Sequence, residues 1–435
     1  MSAPSFMTKK KKPSSQQELL TIIIPTKNRP YLLNRSLRYF IQAEISTKII
    51  IIDSSDGLLL DKTKLIYNDF CVNLDIDYCH VDASMEYSNK ISIAADMVDT
   101  PYSLLVGDDD FPLKSTIEEL LLKLENDKSI VAAYGERVAI TQINEKAQGF
   151  KWVKSYTNYG GISITNSNIL DRIRRLPIPV WQQYPNAIIR TTPFKKAYQM
   201  VKKLDYTQYS EFFISSYILT YGKWVKFDVL FTVCHQENKF CRFKDRYLFT
   251  HYIGKGGSVL DGVSQDKWSK TVSLLCDIVG RKISTSCSQD MSNKLRTIYY
   301  SKLVYYLEYN IMLSNNLIDS NRVILRAINN VFRKISRSYW IIVLYDKSGG
   351  IYEFIKFFLN FGKEILNGRF IKLVLNSTTD INIKGLLISI KRTGSLKYEP
   401  DSLLHNSSKY YKEYQMIFNT WTDNPCPQRL EDVQK

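Results

Sequence analysis

The chain has 435 residues, 44% hydrophobic and 13% aromatic, with 59 Lys and Arg against 43 Asp and Glu for a formal net charge of +16. That apolar content supports a sizeable core and excludes global disorder, and the length calls for two domains, or one large domain with an extension. The basic excess suits a polyanionic partner (nucleic acid, an anionic membrane surface or a phosphate-bearing substrate) without choosing among the three.

Residues 1–18 carry the cluster Lys9-Lys10-Lys11-Lys12 among Ser and Pro and read as a flexible basic tail, without the apolar stretch of a signal peptide. No run of about 18 apolar residues predicts a membrane-spanning helix. The seven cysteines are scattered, form no Cys-x-x-Cys pair and do not cluster with the four histidines. A structural zinc site is therefore not expected, and a reduced cytosolic setting fits.

From Leu19 to about Ala133 short apolar runs alternate with helical patterns. Leu20-Thr21-Ile22-Ile23-Ile24, stopped by Pro25, predicts a buried strand, and Leu33, Leu37, Phe40 and Ile41 share a helical face. Lys48-Ile49-Ile50-Ile51-Ile52 predicts a second buried strand that ends at Asp53-Ser54-Ser55-Asp56-Gly57, and a weaker one covers Leu74 to His80. Ile91, Ala94, Ala95 and Val98 suggest a helix. Tyr102 to Val106 then forms a strand leading into Gly107-Asp108-Asp109-Asp110. Ile117, Leu120, Leu121 and Leu124 mark the next helix, and Ile130 to Tyr134 one more strand. Such alternation predicts βαβ units and a mostly parallel sheet, whose ligands bind beyond the carboxyl ends of the strands. Beyond Glu136 the pattern is irregular. Glu211 to Gly222 reads as a helix, and residues 261–435 as a mostly helical C-terminal region.

Asp108-Asp109-Asp110 after an apolar strand is the strongest local signal. Three adjacent carboxylates repel one another unless a cation compensates, and Mn²⁺ or Mg²⁺ takes a few carboxylate oxygens plus substrate phosphates. The same triplet reads equally well as a solvated acidic turn capping the following helix. Pro25, Thr26, Lys27 and Arg29 at the first strand's end can meet a nucleotide, helped by backbone N–H groups opening the next helix. Asp53 can accept from the N–H of a uracil-type base, or act as a plain turn residue.

Ile22 to Arg29, Ile51 to Gly57 and Leu105 to Phe111, in this order, resemble the three signatures of family 2 glycosyltransferases. The similarity covers about Leu20 to Asn126 and continues more faintly to about His251. It implies an α/β glycosyltransferase A fold (Rossmann-like) over residues 19–260, a nucleoside-diphosphate sugar donor, inversion at the anomeric carbon and a bacterial surface-polysaccharide role. It also implies base recognition by Asp53, ribose and metal contacts from Asp108 and Asp109, Asp110 and Asp108 as metal ligands, and Lys90 beside the diphosphate. The general base matches Glu211, although a single acid stands where the family usually has an acidic pair; Asp205 is the substitute. His251, before Gly254-Lys255-Gly256-Gly257, is a further metal candidate, and Trp181 and Tyr184 can stack on a sugar. His80 and His235 receive no role.

The implied partners are a nucleotide-sugar, most naturally a UDP-sugar, and a glycan or lipid-linked glycan acceptor. Arg322, Arg326, Arg333, Lys334 and Arg337, near Tyr352, Phe354, Phe357, Phe358 and Phe361, suggest a cytoplasmic protein touching an anionic inner membrane face, or simply a helix with a solvated basic side. Two rivals are weaker. A sugar-nucleotide nucleotidyltransferase expects glycine in the first loop, which has none. A basic nucleic-acid-binding protein expects a reading module, and none is present, so no nucleic-acid partner is expected.

Overall fold

The computed structural model describes residues 17–142, 150–152, 162–176, 187–202, 210–236 and 407–423, with fragments between 273 and 282. In chain order the elements are β1 (Leu20–Thr26), α1 (Pro30–Gln42), β2 (Lys48–Asp53), α2 (Gly57–Phe70), β3 (Ile76–His80), α3 (Tyr87–Met97), β4 (Tyr102–Leu105), β5 (Asp110–Pro112), α4 (Lys114–Asn126), β6 (Ile130–Gln142) and β7 (Phe150–Trp152). They continue with α5 (Ile169–Arg175), β8 (Ile188–Arg190), α6 (Thr191–Val201), α7 (Ser210–Leu219), β9 (Lys223–Gln236) and α8 (Tyr411–Asp423).

The strands form one sheet in the order β3-β2-β1-β4-β8-β6-β9-β5, with β7 beside β6. The half that the sequence makes legible, β3-β2-β1-β4, is parallel throughout. Ile22, Ile23, Ile24, Ile49, Ile50, Ile51 and Ile52 are fully buried, as strands covered on both faces require. From β4 outward the pairing is mixed. β8 is antiparallel to β4 and β6, β9 is parallel to β6, and β5 is antiparallel to β9. The architecture is thus α/β with a glycosyltransferase A-type sheet.

By contacts the chain divides into two units, one of residues 1–167, 180–238 and 395–435, the other of residues 168–179 and 239–394. The first holds the sheet. Its third segment contributes α8, which packs on α1, so part of the region expected as a C-terminal extension belongs with the sheet. In the second unit α5 is capped by Asn168, whose side-chain oxygen accepts from the N–H of Leu170 and Asp171. Among the described residues no helix is long and apolar enough to cross a membrane.

Two glycines mark close approaches. A Cβ on Gly222, after α7, would meet Ser129 O at 2.5 Å, and one on Gly135 would meet Val229 O at 2.4 Å where the β6–β9 register shifts.

Candidate active site

Parallel pairing brings the strand ends level. Thr26 pairs with Asp53, and Asp53 with His80. Residues leaving β1 then tie the loops together. Thr26 Oγ1 donates to Asp108 Oδ2 (2.8 Å) and Lys27 Nζ to Ala83 O (2.6 Å). Asn28, at φ 55°, stands in the left-handed region that asparagine tolerates, and its N–H donates to Ser55 Oγ (2.7 Å). Its side chain bonds Asp56 in both directions. Arg29 Nη1 reaches Asp108 Oδ1 (2.9 Å) while Nη2 donates to Asp109 Oδ2 (3.1 Å). Pro25, half-buried, is the penultimate residue of β1.

The acidic turn is not a solvated one. Asp108, Asp109 and Asp110 are 2%, 6% and 4% exposed. Nor do they cap α4, whose N-cap Leu113 makes no side-chain cap bond. Their charges are met by guanidinium groups: Arg29 for Asp108 and Asp109, and Arg137 on β6 for Asp110, at 2.9 Å. Ser36 Oγ donates to the Asp108 carbonyl (2.8 Å), tying the turn to α1. Arg137 also touches the buried thiol of Cys234 on β9. Burial pushes that thiol's pKa up, so it is an inert protonated group.

Asp53 is fully buried and held on both oxygens. Oδ1 accepts from Ser55 N–H (2.7 Å) and Oδ2 from the Tyr78 hydroxyl (2.7 Å). Burial, then the Asp53 bond, raises the Tyr78 phenol and keeps it a donor. The Tyr78 ring stacks on Tyr67 with centroids 5.1 Å apart. His80, given no role from the sequence, bonds Ser55 O through Nε2 (2.9 Å). Lys90, on α3, is 4% exposed and donates to Thr26 O (2.6 Å) and Ser54 Oγ (2.9 Å). Burial pushes its pKa down to about 8, against the pull of Asp53 and Asp108. The expected cation beside the diphosphate is therefore a buried ammonium at the meeting of β1 and β2.

For Mn²⁺ or Mg²⁺ the donors fit in kind. Asp109 Oδ1 and Asp110 Oδ2 lie 2.8 and 3.1 Å from where a Cβ on Gly107 would stand, so only glycine leaves room for both carboxylates there. Among the described residues no three His, Cys, Asp or Glu side chains converge as a cage. Ions of this type need no such cage, since one or two carboxylates and substrate phosphates suffice.

With this geometry, residues 21–176 match the family model described as Glycosyl transferase family 2. The match spans about a third of the chain, from the second residue of β1 to just past the end of α5. The matched segment contains Thr26, Lys27, Arg29, Asp53, Lys90 and the acidic turn. A crystal structure of S. aureus TarS 1-349 is similar at 11% identity over 68% of this chain and 91% of that one, with a TM-score of 0.39. The structure of S. aureus TarS 1-349 in complex with UDP-GlcNAc is similar at 14% identity over 74% and 89%, with a TM-score of 0.38. No curated protein sequence matches the chain.

Glu211 is the second residue of α7, which packs on α6; its side chain lies outside the described residues. So do His251, Asp205, Trp181, Tyr184 and Lys255, and the basic and aromatic residues from Arg322 to Phe361. Sequence reasoning missed Arg137 and Tyr78. Neither carries a local signal, because each acquires its partner only through strand pairing.

Proposed function

We propose that the chain is an inverting, metal-assisted transferase that moves a sugar from a UDP-sugar to a glycan or lipid-linked glycan in bacterial surface-polysaccharide synthesis. The observation that supports it most is the network on Thr26. Its carbonyl accepts from Lys90, its hydroxyl donates to Asp108, and it pairs with Asp53. One residue thereby joins the groups assigned to diphosphate, ribose and base.

In this reading the Asp53 carboxylate takes the imide N–H of the base, and Asp108 and Asp109 face the ribose. Pro25, Thr26, Lys27 and Arg29 wall the nucleotide side. The Lys90 ammonium sets positive potential where the departing diphosphate gathers charge. Asp110 and Asp108, with His251 as a further candidate, would hold Mn²⁺ or Mg²⁺, and a bound ion supplies Lewis-acid neutralisation of the diphosphate. Glu211 takes the acceptor hydroxyl's proton as that oxygen attacks the anomeric carbon; the bond to the diphosphate oxygen breaks in the same displacement. The chain works in the cytoplasm, its basic C-terminal segments resting on an anionic membrane.

Calorimetric titration of UDP-, GDP- and TDP-sugars, each with and without Mn²⁺, tests the reading. Metal-dependent binding of a UDP-sugar, and transfer abolished in Asp110→Asn and Glu211→Gln with the fold intact, is the expected result. Full transfer by either variant refutes the role given to that residue.

A further inference from the structure

Helix α8 begins 235 residues beyond the end of the matched segment, yet it and the residue before it are tied to the sheet-bearing unit at three places. The Glu413 carboxylate accepts from Ser115 N–H (3.0 Å) and the Ser115 hydroxyl, so it caps α4 from outside and suits that helix's positive end. The Tyr410 hydroxyl accepts from Leu230 N–H (3.1 Å), a buried donor at the irregular stretch of the β6–β9 pairing. The Thr420 hydroxyl lies 2.7 Å from Gln42 Oε1 at the end of α1.

At the same end of α8, Trp421 is fully buried with its ring edge-on to Phe111, centroids 5.2 Å apart. Phe111 follows Asp110 directly. Phe111 also meets Tyr39 (5.4 Å), whose hydroxyl donates to Pro112 O (2.9 Å). The Arg35 guanidinium stands 6.0 Å from the Trp421 ring centre. Phe111 is thus wedged between α1 and α8, and Asp110 is the residue before the wedge.

We propose that Trp421 is a positioning residue, holding the acidic turn in place through Phe111. This rests on the proposed function for what the turn does, but not for what holds it. With Phe111 held by both Tyr39 on α1 and Trp421 on α8, the backbone of the turn at Asp110 is anchored next door. Removal of the indole opens space on one side, and Phe111 can then shift with the backbone of the turn. A displacement on the order of 1 Å at reacting groups lowers turnover about a hundredfold.

The test uses the full chain as parent, Trp421→Ala, Trp421→Phe and Glu413→Ala, the last loosening α8 away from Phe111. Amide exchange of the segment Leu105–Leu113 is read without substrate, and turnover at saturating donor is read alongside. Trp421→Ala is expected to speed exchange in that segment and cut kcat about tenfold or more with thermal midpoints matched to Glu413→Ala. Trp421→Phe, which keeps an aromatic edge on Phe111, recovers both readouts, and Glu413→Ala leaves both near parent. A parent that turns over no nucleotide-sugar sinks the assigned function while the exchange still decides on the wedge. Unchanged exchange in Trp421→Ala, or equal effects in Glu413→Ala, overturns the proposal.

Discussion

One guanidinium nitrogen of Arg137 donates to both carboxylate oxygens of Asp110, at 2.9 and 3.1 Å. Arg137 sits on β6 and Asp110 opens β5, strands that meet only through β9 between them. With Arg137 side chain 19% and Asp110 6% exposed, the pair is mostly out of water. Removing one partner of such a pair costs about 3 kcal/mol or more, because the other charge is left buried alone. Arg137→Met is expected to lose that much stability in urea unfolding, and the double variant Arg137→Met with Asp110→Asn to regain most of it. Losses that simply add would show that the two side chains are not coupled.

Gly107 is constrained by the carboxylates it precedes. An added methyl would stand 2.8 Å from Asp109 Oδ1 and 3.1 Å from Asp110 Oδ2, so the acids must move. At Gly135 the obstacle is backbone, Val229 O at 2.4 Å. Gly107→Ala is expected to lose transfer and Mn²⁺-dependent donor binding with a thermal midpoint close to parent. Gly135→Ala should instead destabilise the whole fold, by about 2 kcal/mol or more. Unimpaired donor binding in Gly107→Ala would mean that the acids do not serve the donor.

The parallel half of the sheet was legible because its strands are buried on both faces. Ile22-Ile23-Ile24 and Ile49 to Ile52 can be little else, and parallel alignment then brings Asp53 and the acidic turn to one edge. Helix α2 was not legible, since it buries only Thr63 and Phe70 and leaves Leu58 and Leu65 facing solvent, which erases the helical stripe. The triplet's need for a counter-charge was visible. That arginines supply it was visible for Arg29 only as a nearby cation, and for Arg137 not at all. Its contact with Asp110 spans 27 residues and depends on β9, which follows about a hundred residues after Asp110. The docking of α8 was hidden in the same way, with Ser115 and Glu413 separated by 298 positions.

Tyr78 lies on edge strand β3 and spends its hydroxyl on Asp53 Oδ2. With the phenyl ring kept against Tyr67, Tyr78→Phe removes only that hydrogen bond. The expected stability loss is about 1 kcal/mol. If Asp53 reads the base, UDP affinity should also fall, by about fivefold, as the carboxylate loses one of its two anchors. Calorimetric titration with UDP measures it, and Asp53→Ala sets the scale of complete loss. Identical UDP affinity in parent and Tyr78→Phe would dissociate the anchor from recognition.

Lys90 makes the pH dependence specific. Burial lowers its folded pKa to about 8 from the ordinary 10.5, so between those values the unfolded chain holds the proton that the folded chain has released. Folding stability should therefore rise as pH increases through that window, because the cost of burying the ammonium is relieved; below about pH 8 the cost is present in full. The relief is on the order of 3 kcal/mol at most. Transfer should respond in the opposite sense. An ammonium that offsets diphosphate charge is lost as pH rises through about 8, so turnover falls there while the fold grows firmer. Lys90→Met should remove both trends together. Urea unfolding and donor turnover, each measured from pH 7 to pH 10 on parent and variant, separate the two curves, and a variant that retains the parent's fall in turnover would assign that titration to another group.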